Sequence, residues 1–166
     1  MQIVKVDSSK LFRAFLDVPK HIYTDDPEYV PHIRQEIQRI LWDNKMHNEV
    51  GLWLLFNNNL AVGRIAAFVN KGNKGGLGFF ECVNNQEGAH QLFDIGIQWL
   101  QSKGLPIVEA PVNCGERDKF WGLMVKGFKK PKQSMKKRLC YINILKNTPI
   151  LPRKSLVVPL NSLTYP

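Results

Sequence analysis

The sequence predicts an α/β (α+β) domain with a mixed sheet and the element order β-α-α-β-β-β-α-β-α. Three observations indicate this fold class. Two amphipathic stretches precede the centre of the chain, an apolar hairpin occupies the centre, and a strand, a helix and a second strand follow within about 35 residues. A strand–helix–strand unit of this length makes its two strands parallel, whereas a hairpin is antiparallel, so the sheet is expected to be mixed.

The first elements are a short strand and two helices. Residues 1–6 alternate as a strand does, and Ser8 or Ser9 can cap a helix that Pro19 ends or kinks. Pro31 at a first helical position then opens the second helix. The apolar face of that helix consists of Ile33, Ile37, Ile40 and Leu41.

The centre of the chain predicts three antiparallel strands. Residues 52–56 and 60–69 are apolar runs, and the asparagines at 57–59 between them tolerate the positive φ angles of a tight turn. A glycine-rich connection at 71–76 leads to a third strand at 77–83. Strict alternation would place Leu77, Phe79, Glu81 and Val83 on one face of this strand, and Gly78, Phe80 and Cys82 on the other.

A helix, a buried strand and a last helix complete the predicted order. Asn84 followed by Glu87 three residues later fits a capping arrangement, and Gly104 closes the helix that begins there. The strand is expected at 106–112, parallel to the strand at 77–83. The last helix is expected at 116–128.

Composition excludes several classes of protein. In 166 residues, 44% hydrophobic and 10% aromatic side chains are enough for a packed core, so a wholly disordered chain is excluded. No stretch approaches the roughly 20 apolar residues of a membrane span, and the first residues lack the layout of a signal peptide, which predicts a cytoplasmic protein. Three separated cysteines and four scattered histidines lack the spacing of a zinc site, so no metal is expected.

The positive charge lies at one end of the chain. The formal net charge is +9, but residues 1–118 carry 12 basic against 14 acidic side chains, whereas residues 119–166 carry 11 basic and no acidic ones. A balanced body joined to a segment of one sign is typical of an interaction arm or a non-native extension rather than of a basic binding domain. Nonspecific contact with a nucleic acid is the most that this basic tail predicts.

Four sequence strings carry a resemblance to a known family: HNE at 47–49, VGRIAA at 62–67, GFFE at 78–81 and PVNCGERDKFWG at 111–122. The chain resembles the GNAT superfamily of acyl-CoA N-acyltransferases, and within it a group of bacterial GNAT-like proteins. The resemblance covers roughly residues 10–128 and stops after Phe128. We therefore expect a GNAT-like acyltransferase domain at 1–128 that is C-terminally truncated or altered, followed by an atypical basic tail at 129–166 of the kind that a frameshift would produce.

The resemblance implies transfer of an acyl group from acetyl-CoA or another acyl-CoA to a small-molecule or peptide amine. In such proteins the pantetheine arm lies between the two parallel strands where they splay apart, and the pyrophosphate lies at the N-terminus of the adjoining helix. Glu81 is the candidate general base. The residues that would bind the cofactor are Cys82, Val83, Gln86, Glu87, Gly88, Ala89 and His90.

Two of these assignments have alternatives. Glu81 could instead be a strand-edge glutamate that pairs with Arg64 or with a lysine. The family's pattern at the helix start is Gln/Arg-x-x-Gly-x-Gly/Ala. Aligned on Gly88, this chain has Asn85 at the first position and His90 at the last, so only the middle glycine matches.

Further candidates follow the second parallel strand. Asn113 could bind substrate or pantetheine through its amide, or it could cap the helix that begins near Glu116. Cys114 could act as a nucleophile, but this acyl transfer needs no covalent step, so a spectator thiol is the simpler interpretation. The charged residues at 116–119 are typical of a solvated helix start.

Three functions remain open at this point. The first is the acyltransferase, the second is a catalytically inactive GNAT-like remnant or binding protein, and the third is a small basic nucleic-acid-binding protein. A sheet edge left open by missing strands would allow a homo-oligomer. Apolar runs at 139–145 and 156–160 could also form strands that cover this edge.

Overall fold

The chain forms one mixed sheet with helices on both of its faces. A computed structural model describes residues 1–27, 29, 31–43, 49–70, 74–110 and 156–159. The elements in chain order are strand β1 (Gln2–Lys5), helix α1 (Ser9–Ile22), helix α2 (Arg34–Gln38, continued by a π-helical turn at Arg39–Asp43), strands β2 (Val50–Asn57), β3 (Leu60–Asn70) and β4 (Lys74–Cys82), helix α3 (Gln86–Ser102), and strands β5 (Ile107–Ala110) and β6 (Leu156–Pro159).

The sheet has its six strands in sequence order, β1-β2-β3-β4-β5-β6. Neighbouring strands are antiparallel except β4 and β5, which are parallel and are joined by α3. The predicted α/β class and its mixed sheet are therefore confirmed. The helix expected at 116–128 and the strand expected at 139–145 lie outside the described residues.

The strand predicted at 156–160 is confirmed by β6. It pairs antiparallel with β5, from Ile107 opposite Pro159 to Ala110 opposite Leu156. The edge of β5 that faces away from β4 is thus covered by a strand from the basic tail, as the sequence suggests. The division of the chain at residue 128 stays a prediction.

Two hydrophobic cores lie on opposite faces of the sheet. The α3 face, where α3 packs, buries Leu55, Ile65, Leu77, Phe80, Cys82, Leu92 and Leu100 among others. The α1 face, where α1 and α2 pack, buries Val6, Phe12, Phe15, Val18, Leu41, Leu54 and Phe68 among others. Apolar residues on both sides of β2 and β3 explain why these central strands are apolar along almost their whole length.

The predicted central hairpin is confirmed. β2 and β3 pair from Val50 opposite Phe68 to Asn57 opposite Leu60. Asn58 takes a φ of 54° in the turn, a left-handed conformation that asparagine tolerates better than most residues. The local turn chemistry therefore fixes the register of these two strands.

Helix α1 continues past Pro19 to Ile22, so the expectation that Pro19 could end it is wrong. Ser8 caps the helix, since its side chain accepts a hydrogen bond of 3.3 Å from the Leu11 N–H. Pro19 has no N–H to donate to the carbonyl oxygen four residues earlier, which belongs to Phe15. The Arg64 guanidinium donates to that oxygen instead, at 2.9 Å, and this bond from β3 compensates for the proline.

The start of α2 also differs from the prediction. The helix begins at Arg34 rather than at Pro31, because Ile33 is extended and occupies the N-cap position. Ile33 is 60% exposed and does not join the predicted apolar face, whereas Ile37 and Leu41 are buried as expected. Proline is frequent at the first position of a helix, but here the helix begins only after Pro31.

Strand β4 is longer than predicted and does not alternate strictly. It begins at Lys74, so Gly75 and Gly76 belong to the strand and not to the connection. A β-carbon on Gly76 would lie 2.3 Å from the Phe68 ring, which shows how closely these strands pack. Leu77 packs with Phe80 on the α3 face rather than with Phe79 on the α1 face, so its predicted side was wrong.

The cause is a β-bulge in β4. Between the pairs Ala66–Gly78 and Arg64–Glu81 the register with β3 shifts, and Phe79 has a φ of 50°. A bulge adds a residue to one strand and so reverses which face the following side chains occupy. A left-handed phenylalanine is rare, and nothing in the local sequence indicates it.

Candidate functional site

Among the described residues, the two parallel strands pair over a short stretch. Gly75 lies opposite Val108 and Gly76 opposite Glu109, and among the described residues the ladder ends there. β5 continues to Ala110 beside β6, while β4 passes through its bulge and runs on to Cys82. The carboxyl half of β4 is thus paired with β3 on one side, and on the β5 side the described residues end at Ala110, before the level of Cys82.

The backbone of β4 directs the peptide groups of Cys82 away from β3. The Val83 N–H donates to the Val62 carbonyl oxygen of β3 at 2.9 Å, and Cys82 lies opposite Gly63. Successive residues of an antiparallel ladder direct their N–H and C=O groups to opposite sides. The peptide groups of Cys82 therefore face the β5 side, and those of Val83 face β3.

The Cys82 side chain, unlike its backbone, lies in the hydrophobic core. It is 4% exposed and packs in the apolar core under α3. Its sulfur therefore contributes to packing, and only its backbone is suited to contact a ligand.

Helix α3 begins beside the end of β4, and the sequence placed its cap one residue early. Asn85, not Asn84, is the N-cap, and its side-chain oxygen accepts a 2.6 Å hydrogen bond from the Gly88 N–H. Gln86 and Glu87 are exposed in the first turn, where N–H groups lack acceptors within the helix. An anion at this helix start would meet those two N–H groups first.

The other predicted cofactor residues at this helix start face inward to different degrees. Gly88 and Ala89 are buried and His90 is half-buried. A β-carbon on Gly88 would lie 2.5 Å from Cδ2 of Leu55, so this glycine allows α3 to approach β2. Packing against the sheet therefore explains Gly88 without any ligand.

Glu81 lies on the opposite face of β4 and is half-buried. Its Oε2 accepts a hydrogen bond from the Tyr23 hydroxyl at the end of α1. Across the ladder Glu81 lies directly opposite Arg64 of β3. A carboxylate is thus placed on the carboxyl half of β4, past the bulge and beside a buried cation.

Aromatic side chains from the α1–α2 connection adjoin this carboxylate. The Tyr29 ring stacks on the Tyr23 ring, with their centroids 4.7 Å apart and their planes 23° from parallel. Burial raises the pKa of Tyr29, the Arg64 charge opposes that rise, and the Glu81 charge adds to it. Tyr29 therefore remains protonated at neutral pH and can act as a hydrogen-bond donor.

Sequence reasoning missed both tyrosines, because residues 23–27 resemble a turn and nothing more. One signal could have found Tyr23. Phe15, Pro19 and Tyr23 follow each other at intervals of four, so Tyr23 continues the buried face of α1 for one further turn. An aromatic hydroxyl at the end of a buried helix face needs a polar partner, and Glu81 is that partner.

Asn113 and Cys114 lie outside the described residues, as do residues 116–119. Within the ranges that are described, no group of three or more His, Cys, Asp or Glu residues could hold a metal ion. Nor does any described helix combine the length and the apolarity that crossing a membrane requires.

Comparisons with known proteins complete the description of the site. No known protein-family profile matches the chain. The protein YghO of Escherichia coli (strain K12) is 24% identical over 133 residues, which cover 74% of this chain and 34% of that protein. The chain thus spans about a third of the length of this curated relative.

Solved acetyltransferases share the fold at low sequence identity. An aminoglycoside 6'-N-acetyltransferase from Enterococcus faecium gives a TM-score of 0.50 at 15% identity, over 65% of this chain and 59% of that one. An acetyltransferase from Streptococcus agalactiae 2603 gives 0.50 at 13% identity, over 86% and 80%. Together with the mixed sheet, these likenesses show that the chain has the fold of the GNAT acetyltransferases.

Proposed function

We propose that this protein is a cytoplasmic, acyl-CoA-dependent N-acyltransferase that transfers an acetyl or other acyl group to a small-molecule or peptide amine. The observation that carries the proposal is Glu81, a carboxylate on the carboxyl half of β4 that accepts a hydrogen bond from the Tyr23 hydroxyl and lies opposite Arg64. The GNAT fold supports acyl transfer as the reaction type, and the relative placement of Glu81 supports its role as the base.

The proposed reaction is a direct attack of the amine on the thioester. The amine nitrogen forms a bond with the acyl carbon, and the carbon–sulfur bond breaks. Glu81 accepts the proton that the nitrogen loses, directly or through one water, and CoA leaves as a thiolate that takes a proton from solvent. No covalent acyl-enzyme is required, so the thiols of Cys82 and Cys114 have no step to perform.

Cofactor binding would use the end of β4 and the start of α3. The Cys82 peptide groups would bind the pantetheine amides, and the N–H groups of Gln86 and Glu87 would bind the pyrophosphate. The positive end of the α3 dipole would add to the attraction for phosphate. Val83, Gly88, Ala89 and His90 would form the surrounding surface, and Asn113 is proposed to contact the substrate.

The proposal is tested by calorimetric titration of the full chain with acetyl-CoA and with CoA. Saturable binding of either compound is expected, and Glu81→Gln should leave this binding unchanged because Glu81 contacts Tyr23 on the α1 face, opposite the face on which α3 packs. In an assay of CoA thiol release with any accepted amine, Glu81→Gln should lower the rate by about 10²–10⁴-fold. If neither CoA nor acetyl-CoA binds the wild-type chain, the acyltransferase proposal is wrong.

One observation favours a second function, a catalytically inactive GNAT-fold protein. Asn85 and His90 replace the expected residues at the helix start, and the Asn85 side chain occupies the Gly88 N–H. A phosphate would have to displace this cap to use that N–H group. Thermal unfolding separates the two functions, because saturating acetyl-CoA should raise Tm only if the chain binds it.

The nucleic-acid-binding alternative depends on the basic tail, of which only residues 156–159 are described. Binding through lysine and arginine would release counterions and would weaken steeply as salt increases. Fluorescence anisotropy of a labelled RNA at two salt concentrations tests it directly.

A further inference from the structure

We propose that Tyr23 is a positioning residue for Glu81: its hydroxyl fixes the orientation of the carboxylate and sets how readily that carboxylate takes a proton. This inference rests on the proposed function, in which Glu81 is the base. It adds a residue from α1, an element that the resemblance did not connect with proton transfer.

The backbone of Tyr23 is held at two points. Its N–H donates to the Pro19 carbonyl oxygen at 2.9 Å, and its own carbonyl oxygen accepts from the Asp26 N–H at 3.0 Å. The first bond belongs to the end of α1 and the second to the turn that follows. Tyr23 is therefore the junction between the helix and the connection, and its position follows that of α1.

The ring of Tyr23 is held as well. It is half-buried, and the Tyr29 ring stacks on it. Offset stacking of two aromatic rings favours a defined orientation of both. The hydroxyl that Tyr23 donates to Glu81 is thus placed by the helix end on one side and by the stacked ring on the other.

Glu81 needs such a contact because of where it lies on β4. It follows the bulge at Phe79, where the regular ladder with β3 is interrupted. A base must be held within hydrogen-bond reach of the proton that it removes, and small displacements lower the rate strongly. The contact from α1 gives the carboxylate a second point of attachment besides its own strand.

The same contact affects the charge of the carboxylate. A hydrogen bond donated to an ionised carboxylate favours the ionised form, and so does a neighbouring cation. The described groups around Glu81 include the Tyr23 hydroxyl from the end of α1, the Tyr29 phenol from the connection and the Arg64 guanidinium from β3. Loss of the Tyr23 hydroxyl should therefore make Glu81 take up a proton at higher pH.

The test is a carbon-13 NMR titration of the glutamate carboxyl groups in the full chain. The Glu81 resonance is assigned by its loss in Glu81→Gln. In Tyr23→Phe, which keeps the stacked ring, its titration midpoint should rise by about half a pH unit or more. Tyr29→Phe is the matched control: it removes a neutral hydroxyl from the neighbouring ring and should move the midpoint by less than about 0.2.

Two results would overturn the proposal: an unchanged midpoint in Tyr23→Phe, or an equal rise in Tyr29→Phe. If Tyr23→Phe lowers Tm but leaves the midpoint in place, the role of Tyr23 is structural and the proposal also fails. Calorimetry with acetyl-CoA on the same samples is a separate measurement. Absence of binding there, with the midpoint shift present, refutes the proposed function while the Tyr23–Glu81 contact stands.

Discussion

The two faces of the sheet are both buried, but they are built differently. On the α3 face the described core is apolar throughout and receives one long, regular helix. On the α1 face the helix contains a proline, and Arg64, the only charged side chain buried among the described residues, lies beneath it. The candidate base and its tyrosine lie on this second face.

The comparison shows that, on the α1 face, the proline in the helix and the buried arginine are linked. Pro19 leaves the Phe15 carbonyl oxygen without its helical donor, and Arg64 supplies one. The guanidinium also lies 5.1 Å from the centroid of the Phe15 ring, within the range of a cation–π contact. A single buried side chain thus satisfies the helix above it and lies opposite Glu81 in the sheet.

The largest expected effect is therefore on the α1 face. Arg64→Ala removes a hydrogen bond from a charged donor, leaves the Phe15 oxygen buried, and opens a cavity at a position that is 1% exposed. The free energy of unfolding should fall by about 4 kcal/mol, as measured by urea denaturation.

The coupling to Pro19 can be isolated by a double-mutant cycle. Pro19→Ala restores the N–H that can bond the Phe15 oxygen, so in the Arg64→Ala background it should recover about 1 kcal/mol. If the two substitutions are additive, Arg64 does not compensate for the proline, and the link between helix irregularity and buried charge is wrong.

The matching substitution on the α3 face is Leu92→Ala, which tests apolar packing alone. Leu92 is fully buried and its Cδ1 would lie 2.9 Å from a β-carbon on Gly63. We expect a loss of about 3 kcal/mol in urea denaturation, with no change in the pH dependence of stability. A pH-dependent loss at this position would contradict the view that Leu92 contributes by apolar packing alone.

A smaller effect is expected at the start of α3. Asn85→Ala removes the cap to Gly88 and should lower the free energy of unfolding by about 1 kcal/mol. Asn85→Asp keeps an acceptor at the same place and adds a charge that the helix dipole favours, so it is the control and should be close to wild type. If the two variants lose the same free energy of unfolding, an acceptor at the N-cap contributes nothing to stability.

The smallest effect concerns an ion pair at the edge of the α1 face. Asp17 lies 2.6 Å from the Arg34 guanidinium and 3.4 Å from the Lys20 ammonium. Burial raises the pKa of Asp17, but the hydrogen bonds and charges of Arg34 and Lys20 outweigh it and leave the pKa below its ordinary 3.8. The side chain is 35% exposed, so solvent screens most of this interaction.

Because the folded-state pKa is depressed, the stabilisation is present above 3.8 and is lost as the pH falls through the folded value. Asp17→Asn should therefore cost about 0.5 kcal/mol at neutral pH and nothing measurable in strong acid. Added salt should reduce the difference at neutral pH. A difference that persists in strong acid would indicate a cause other than this ion pair.

Much of the fold follows from local sequence patterns. The hairpin, the parallel βαβ unit and the closing Gly104, which has a φ of 69°, each depend on residues close together in sequence. The errors have tertiary causes. Pro19 is accommodated by an arginine 45 positions away in the chain, and the bulge at Phe79 is a conformation that no local signal indicates.

The candidate site was predictable to a similar degree. Glu81 could be singled out as a carboxylate on an apolar strand, and the register confirms Arg64 as its neighbour across the ladder. The spacing along α1 could indicate Tyr23 as a buried position, but the approach of Tyr23 and Tyr29 to Glu81 could not be predicted, because it requires α1 to lie across β3 and β4. The two interpretations of Glu81, as the proposed base and as a strand residue paired with Arg64, are therefore compatible.

The pairing of β6 with β5 has a consequence for synthesis of the chain. These neighbours in the sheet are separated by residues 111–155, so a ribosome finishes β5 well before it makes β6. At about 5–20 residues per second, that interval lasts on the order of seconds. During it the β5 edge can recruit strands from other nascent chains, so a pause in translation over this stretch should increase the aggregated fraction.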